Sequence, residues 1–199
     1  MIFKSLRLML IHQTEATLPT DFGLFDIHIF TDPHTHVEVM VLTQLERIRR
    51  KALVRIHSSC ATGDLFFSRK CDCGQQLKLA MTQIQEEGGL LIYLPQEGRG
   101  IGLVNKIRAY AKQDSLNLDT VDANLELGLP IDSRTYDQAY TILHYFQLKD
   151  IILLSNNPRK VEALVEAGIQ VERRPLLTER TLENQHYLNT KAQKMEHFL

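Results

Sequence analysis

All three cysteines of this 199-residue chain lie in one short stretch, at Cys60, Cys71 and Cys73. Cysteine thiolates bind zinc well, and three of them leave one tetrahedral position for a water molecule, whose pKa zinc lowers to about 7. Free cysteines are also common in protein cores. A Cys-x-Cys pair that follows the charged Lys70 and precedes Gly74 is, however, a poor core pattern. The spacing therefore predicts one zinc ion per chain, with water completing the site.

A glycine-rich segment follows the cysteines, with the sequence PQEGRGIG at residues 95–102. The apolar run at residues 90–94 predicts a buried strand before it, and a helix is expected to begin near Leu103. Backbone N–H groups in such a turn favour an anion, and Arg99 adds a bidentate phosphate donor. Many α/β turns contain glycines, so the prediction of a phosphate site depends on the neighbouring metal site.

The segment between the cysteines and the glycines has helical periodicity, because Leu77, Ala80, Met81 and Ile84 follow the i, i+3, i+4, i+7 spacing. Upstream, residues 53–57 predict a strand that leads into the first cysteine. This strand would bring four polar residues to the metal site: Arg55, His57, Ser58 and Ser59.

The composition is that of a soluble globular protein, with 44% hydrophobic and 24% charged residues. Its length suits one sizeable core, so we expect a single domain over residues 1–199. A net charge of −1 and a pI near 6.7 argue against broad nucleic-acid binding, which usually needs a basic face. Three cysteines give no paired disulfide framework and suit a reducing, cytoplasmic environment.

Apolar runs are too short to predict contact with a membrane. The run at residues 8–11 is shorter than the core of a signal peptide. No segment approaches the roughly 18 apolar residues of a membrane span. We therefore expect a cytoplasmic protein whose partners include neither a membrane nor a nucleic acid.

The pattern of strands and helices predicts an α/β fold, with a mixed β-sheet flanked by helices. Residues 1–59 are β-rich, because apolar residues alternate with polar ones, as at Leu6, Leu8 and Leu10. Residues 60–199 alternate strands with helices, which favours a parallel or mixed sheet. A helix at residues 103–113 is expected to place Ile107, Tyr110 and Ala111 on one face.

Several polar residues in the second half allow either a structural or a functional interpretation. Asp132 is expected to cap a helix over residues 136–146, or to work with Arg134 in a site. Tyr110 is either a core residue or a functional hydroxyl. Ser155 and Lys160 lie at a second helix start. Either they cap the helix and face solvent, or they hold a phosphate. Two loop histidines, His34 and His36, are interpreted as surface residues.

Taken together, these blocks of sequence resemble the GTP cyclohydrolase II family over nearly the whole chain. The matching blocks are residues 55–58 (RIHS), 60 with 62–64 (TGD), 71–74 (CDCG), 96–103 (QEGRGIGL), 105–110 (NKIRAY) and 156–158 (NNP), with 186–188 (HYL) and 190–192 (TKA) in the tail. The resemblance implies a homodimeric zinc enzyme that uses magnesium with GTP. It implies release of guanine C8 as formate and release of pyrophosphate, giving 2,5-diamino-6-(5-phosphoribosylamino)pyrimidin-4(3H)-one, the first step of riboflavin biosynthesis.

The resemblance also implies roles for individual residues. Cys60, Cys71 and Cys73 match the zinc ligands. Asp132 matches a proposed general base, Arg134 a proposed nucleophile at the α-phosphate, and Tyr110 a tyrosine that positions water at the purine. The implied GTP contacts are Arg55, Ile56, His57, Ser58, Ser59, Gln76, Glu97, Gly98, Arg99, Thr120, Ser155 and Lys160. Among these, Glu97 and Gln76 are candidates for reading the donor edge of guanine.

Two positions depart from the family pattern. Ser59 stands where the family usually has glutamate, and Ser155 stands where threonine is common. The loss of a carboxylate at Ser59 leaves open a related zinc hydrolase with another nucleotide or product. A non-catalytic nucleotide-binding protein is a further alternative, although binding alone does not require Tyr110, Asp132 and Arg134 together.

The chemistry of Arg134 suggests a division of labour. Arginine is almost always protonated and is a poor nucleophile, but its charge can stabilise a transferring phosphoryl group. We therefore expect Asp132 and Arg134 to serve pyrophosphate release, and the zinc site with Tyr110 to serve opening of the imidazole ring.

Overall fold

The structure is a computed structural model that describes residues 10–196 and 198, apart from the side chain of His186. The strand predicted around Leu6 and Leu8 lies outside the described residues. Within them, no helix is both long enough and apolar enough to span a membrane.

A seven-stranded mixed sheet forms the centre of the fold, in the order β1-β2-β3-β5-β4-β6-β7. The strands are β1 (Ile11–Thr20), β2 (Gly23–Thr31), β3 (Glu38–Gln44), β4 (Ala52–Ser58), β5 (Gly89–Leu94), β6 (Asp150–Leu154) and β7 (Gln170–Arg174). Strands β1, β2 and β3 form an antiparallel meander, and β3 continues antiparallel to β5. Strands β5, β4, β6 and β7 are parallel, so the two halves predicted from the sequence share one sheet.

The helices connect the parallel strands and cover both faces of the sheet. They are α1 (Ala61–Asp64), α2 (Cys73–Glu87), α3 (Gly102–Leu116), α4 (Thr120–Glu126), α5 (Asp137–Tyr145), α6 (Pro158–Glu166) and α7 (Gln185–Lys194), with 3₁₀ turns at Leu45–Arg47 and Glu97–Gly100. This architecture confirms the predicted mixed β-sheet flanked by helices.

Two hydrophobic clusters, one on each face, hold the helices to the sheet. On one face, Ile84 of α2 packs with Leu53 and Leu91. On the other face, α5 and α6 pack with Val54 and Ile92. Because successive residues of a strand point to opposite faces, each central strand contributes to both clusters. The central strands β4 and β5 are therefore buried on both sides, whereas the edge strand β1 is largely exposed.

Helix α3 differs from its prediction. Ile107 is 47% exposed, and Ala111 is exposed as well. The buried residues of this helix are Lys106 and Ala109. Helix α3 turns a polar face inward because it lies over the cysteines rather than over the apolar sheet, so a search for an apolar stripe selects the wrong face.

The prediction that Asp132 caps a helix is also wrong. Helix α5 begins at Asp137, and its N-cap residue, Tyr136, makes no capping hydrogen bond through its side chain. The carboxylate of Asp132 instead accepts hydrogen bonds from Arg134. The carboxylate of Asp132 is therefore paired with a neighbouring side chain rather than with the helix terminus.

Candidate active site

A polar pocket lies where the parallel strands β4, β5 and β6 end. Residues 58–60, 96–99 and 155–157 follow these strands and line the pocket together. Open α/β sheets bind ligands outside the carboxyl ends of their strands, at the point where the connections reverse direction. Strand β4 has β5 on one side and β6 on the other, so this pocket occupies such a point.

The pocket brings together every predicted site residue except Ile56 and Asp132. Those lining it are Arg55, His57, Ser58, Ser59, Cys60, Cys71, Cys73, Gln76, Glu97, Gly98, Arg99, Tyr110, Thr120, Arg134, Ser155 and Lys160. Ile56 is fully buried in the core, and its carbonyl oxygen accepts a hydrogen bond from Lys160 Nζ at 2.7 Å. Asp132 reaches the pocket indirectly, through its ion pair with Arg134.

The three cysteine sulfur atoms form one compact cluster, in which all lie within 4.8 Å of one another. The Sγ atoms of Cys60 and Cys71 are 3.7 Å apart. In tetrahedral zinc sites the Zn–S bond of about 2.3 Å places two sulfur atoms about 3.8 Å apart. A methyl group added at Gly63 would lie 3.0 Å from Cys71 Sγ and 3.2 Å from Cys60 Sγ, so only glycine leaves this space open. The three thiols therefore fit a zinc ion.

Asp64 ties the first cysteine to the strand that precedes it. Its carboxylate accepts hydrogen bonds from the backbone N–H of Cys60 at 3.0 Å and from Tyr93 Oη at 2.9 Å. His57 Nε2 lies 3.1 Å from the same oxygen, and the rings of His57 and Tyr93 stack. Burial lowers the pKa of His57 even though Asp64 opposes this effect, so the imidazole is neutral at neutral pH.

Lys106 is a pocket residue to which sequence reasoning gave no role. Its Nζ donates to Cys60 Sγ at 3.0 Å and to Glu97 Oε1 at 2.8 Å. The other oxygen of Glu97 accepts from the backbone N–H of Ala61 at 2.6 Å. Hydrogen bonds with Cys71 and Cys73, and then the charge of Lys106, lower the pKa of Cys60, which favours its thiolate form. The only available sequence signal was the position of Lys106 in the NKIRAY block.

The glycine-rich turn holds Arg99 in a strained conformation. Arg99 has a φ of +61°, in the left-handed region that non-glycine residues rarely adopt, and it follows Gly98 at the same φ. Among the described side chains, its Nη1 and Nη2 atoms are buried without a hydrogen-bond partner. Buried cationic donors without partners are costly, so the turn presents Arg99 to an anion that the protein itself does not supply.

The base of the pocket is rich in buried cationic side chains. Arg55 donates to Gln76 Oε1 at 2.6 Å and to the carbonyl of Leu154 at 2.9 Å, and burial lowers its pKa to about 10. Lys160 donates only to a backbone carbonyl in the contacts described, without a carboxylate partner. Burial, and then the charges of Arg55 and Arg134, lower the pKa of Lys160. A bound polyanion would offset the repulsion between Lys160 and these two arginines.

Gln76 links the cationic bottom of the pocket to the C-terminal helix. Its amide Nε2 donates to Asp72 Oδ2 at 2.6 Å. The other oxygen of Asp72 binds Lys191 Nζ of α7 at 2.7 Å. Asp72 is fully buried, so this pair fastens α7 beside the cysteines, and Lys191 and its neighbour Tyr187 also line the pocket. The tail block TKA was the sequence signal for Lys191.

Tyr110 lies beside the cysteine cluster on α3. The Nζ atoms of Lys70 and Lys106 lie 5.2 and 5.8 Å from the centre of its ring. Burial raises the pKa of Tyr110, although a hydrogen bond with Thr62 opposes this effect. The phenol is therefore protonated at neutral pH and can donate a hydrogen bond to a water or to a base in the pocket.

Comparisons with known proteins agree on one family. Residues 12–175 match the family described as GTP cyclohydrolase II. The chain is 49% identical over 193 residues to GTP cyclohydrolase-2 of Neisseria meningitidis serogroup B, covering 96% of this chain and 98% of that protein. It is 48% identical over 193 residues to GTP cyclohydrolase-2 of Neisseria gonorrhoeae, with the same coverage.

A further relative and one solved structure come from longer proteins. The chain is 48% identical over 188 residues to riboflavin biosynthesis protein RibBA of Staphylococcus aureus, covering 94% of this chain and 47% of that protein. A solved structure of RibBX, a two-domain 3,4-dihydroxy-2-butanone 4-phosphate synthase from A. baumannii, has a TM-score of 0.48 and 16% identity, covering 86% of this chain and 41% of that chain. That structural likeness is too low to bear on fold or function.

Proposed function

The chain belongs to the GTP cyclohydrolase II family, and from this premise we propose that it hydrolyses GTP as the first step of riboflavin biosynthesis. The products are formate, pyrophosphate and 2,5-diamino-6-(5-phosphoribosylamino)pyrimidin-4(3H)-one. One water adds to guanine C8 and opens the ring, a second hydrolyses the resulting formamide, and a third replaces pyrophosphate at the α-phosphate.

The observation that carries this proposal is the pairing of two kinds of site in one pocket. Arg99 offers guanidinium nitrogens without protein partners in the pocket that Arg55 and Lys160 also line, and this suits a triphosphate. The cysteine cluster lies in the same pocket. A nucleotide whose phosphates contact the cations can therefore present its base to the cysteines. Glu97 and Gln76 retain free lone pairs for the donor edge of guanine.

Cys60, Cys71 and Cys73 would hold one zinc ion, which when bound makes water a competent nucleophile at neutral pH. The residues around this centre have tasks of their own. Lys106 donates a hydrogen bond to the sulfur of Cys60, and Asp64 accepts one from the backbone N–H of Cys60, so the two residues hold Cys60 in place. The phenol of Tyr110 orients water or a departing group at the purine. Magnesium is proposed to accompany the phosphates of GTP, which need charge neutralisation beyond the protein's cations.

The α-phosphate is assigned to Asp132 and Arg134. The guanidinium of Arg134 donates to Asp132 and also reaches Ser58 Oγ at 3.4 Å, so it is held at the pocket wall. In this position it stabilises the negative charge that develops when pyrophosphate leaves. Asp132 holds the guanidinium and accepts a proton from the attacking water.

A test of this function measures the three products separately. Purified protein with GTP and magnesium should yield formate, pyrophosphate and the pyrimidine in equal amounts. The same mixture without protein is the control for protein-independent hydrolysis. Nucleotide binding without any product would contradict the proposal and support a non-catalytic protein.

A second function is supported by Ser59. This residue lines the pocket where the family usually has glutamate, so one carboxylate is missing. An enzyme that retains the formyl group on its product is therefore the alternative. It would release pyrophosphate without formate in the same assay, and Ser59→Glu would then restore formate.

The family resemblance also leads us to propose a cytoplasmic homodimer. Helix α3 exposes Leu103, Val104 and Ile107 by 45%, 65% and 47%. An exposed apolar surface of this kind is suited to a second copy of the chain. Sedimentation velocity on the wild type and on Val104→Glu tests this proposal, since a dimer that uses this face would dissociate in the variant. A wild-type monomer at micromolar concentration would contradict it.

A further inference from the structure

A second cluster of potential metal ligands lies on the N-terminal strands, away from the cysteines. It consists of His12 and Glu15 of β1 and His28 of β2. None of the three lines the nucleotide pocket. The proposed reaction therefore leaves this cluster without a role.

The donor atoms of the cluster converge on one small space. Glu15 Oε2 lies 3.0 Å from His28 Nδ1 and 3.5 Å from His12 Nε2, and the two histidine nitrogens are 3.4 Å apart. Ligands about 2.0–2.1 Å from a tetrahedral ion lie about 3.3 Å from one another. The three separations thus match those of atoms that share one ion.

A β-bulge creates this convergence. Residues three apart on a regular strand point to opposite faces, so His12 and Glu15 would normally diverge. The register between β1 and β2 shifts between His12 and Thr14, so that His12 pairs with Phe30 and Glu15 with His28. The extra residue returns both side chains to the same face as His28. Bulges that re-aim a side chain in this way are often functional features.

The two imidazoles are held in place from outside the cluster. His28 is 7% exposed, its Nε2 lies 3.1 Å from Thr43 Oγ1, and its ring meets Phe146 edge-on. The ring of His12 stacks on Tyr145 at a centroid distance of 5.4 Å. If His28 donates its Nε2–H to Thr43, its Nδ1 lone pair faces Glu15. Metal-binding histidines usually have such a partner on the other ring nitrogen, which fixes the tautomer.

We propose that His12, Glu15 and His28 bind a divalent transition-metal ion of the zinc and cobalt type. Two neutral imidazoles and one carboxylate form a donor set suited to such ions. Glu15 is the exposed member of the cluster and leaves a side open to water as a further ligand. The ion joins β1, the edge strand of the sheet, to β2, so its role is to secure this edge.

The short contact between His28 Nδ1 and Glu15 Oε2 fits this role. Without an ion, the lone pairs of His28 Nδ1 and Glu15 would face each other at 3.0 Å unless a proton lay between them.

Cobalt titration of the full-length protein tests the proposal, after the cysteine cluster has been loaded with zinc. Cobalt bound by nitrogen and oxygen gives visible d–d bands without sulfur charge transfer, whereas cobalt bound by cysteine adds intense near-ultraviolet charge transfer. The wild type should bind one further equivalent without charge transfer. The side chain of Glu15 is exposed, so Glu15→Gln should leave folding intact. It should weaken the affinity for this further cobalt ion by at least about tenfold. Zinc should compete with the cobalt and raise the unfolding temperature of the wild type alone.

Thr43 and His34 provide the controls. Thr43→Val keeps the ligands and the shape but removes the hydroxyl, so binding should weaken by about 10–100-fold, and Thr43→Ser should restore it. His34→Gln removes an exposed loop histidine and should leave the added equivalent unchanged. The proposal is overturned if the wild type binds no added equivalent, if this equivalent shows charge transfer, or if Glu15→Gln binds as tightly as the wild type.

Discussion

Arg134 forms a two-point ion pair with Asp132, through Nε to Oδ1 at 2.9 Å and through Nη2 to Oδ2 at 2.7 Å. Burial alone would lower the pKa of Arg134, but the hydrogen bonds and charge of Asp132 outweigh it and raise this pKa. In the same pair, burial would raise the pKa of Asp132, but Arg134 holds it below its usual value. The guanidinium is therefore held as a cation, which disfavours a covalent arginine intermediate.

The first prediction concerns this cation. Arg134→Ala should slow pyrophosphate release by roughly 10²–10³-fold, because a fixed donor to the developing negative charge is lost. Arg134→Lys keeps the charge without the two-point geometry, so it should retain a larger part of the rate. Single-turnover measurement of pyrophosphate checks both variants. Equal loss in the two would instead support a covalent role for the guanidinium.

The second prediction separates the two ends of the substrate. Tyr110→Phe should slow formate release by roughly 100-fold, because the phenol that orients water or donates a proton is removed. Pyrophosphate release should change much less, since Arg134 remains in place. Both products are followed in one single-turnover experiment. Loss of pyrophosphate with unchanged formate would show that the proposed division is wrong.

The third prediction concerns the metal at the cysteines. Cys71→Ser should lose most of the zinc that copurifies with the wild type, because a thiolate ligand is replaced by a poor one. Elemental analysis of protein purified without added zinc measures the difference, and Ser115→Ala is a surface control. Equal zinc in Cys71→Ser and the wild type would refute the assignment. The His12 cluster is unchanged in this variant, so zinc bound there is distinguished by combining Cys71→Ser with Glu15→Gln.

The fourth prediction concerns the unpartnered guanidinium of Arg99. Arg99→Ala should weaken binding of a non-hydrolysable GTP analogue by about 1.5–3 kcal/mol, the usual contribution of a hydrogen bond to a charged group. Arg108→Ala removes an exposed arginine of α3 and should leave affinity unchanged. Calorimetry compares the two variants. If Arg99→Ala bound as tightly as Arg108→Ala, the phosphates would have to lie elsewhere.

The fifth prediction concerns the start of helix α4, which positions Thr120. Asp119 accepts from the backbone N–H of Val121 at 2.8 Å and pairs with Lys194 of α7 at 2.6 Å. Asp119→Ala should therefore lower the free energy of unfolding by about 1 kcal/mol at pH 7. Burial would raise the pKa of Asp119, but Lys194 and the capping N–H groups lower it overall.

The sign of the pH dependence follows from that lowered pKa. The stabilisation is present above the ordinary aspartate pKa of 3.8 and is lost as the pH falls through the lower folded value. Urea unfolding of the wild type and Asp119→Ala should thus differ at pH 7, and the difference should shrink as the pH falls below 3.8. Asp114→Ala, which breaks an exposed ion pair with Lys70, is the control and should change stability little. A difference that grew on acidification would contradict the assignment.

The sequence by itself determined much of the local structure and the identity of the main chemical groups. The periodicity of Leu77, Ala80 and Ile84 predicted α2, and the apolar run at residues 90–94 predicted β5, because these signals depend on neighbours a few residues apart. The grouping of all three cysteines predicted their cluster, since two of them are separated by one residue and a short loop returns the third.

The tertiary structure decided which distant residues meet. Lys106 reaches Cys60 from helix α3, so this helix buries a charged residue, whereas Ile107 of its predicted apolar face is exposed. His12 and Glu15 converge on His28 only because a bulge shifts the register of β1 against β2. Local periodicity carries no information on strand order or on bulges, since both depend on packing between segments far apart in the chain. The partners of each polar group could therefore be established only in the folded protein.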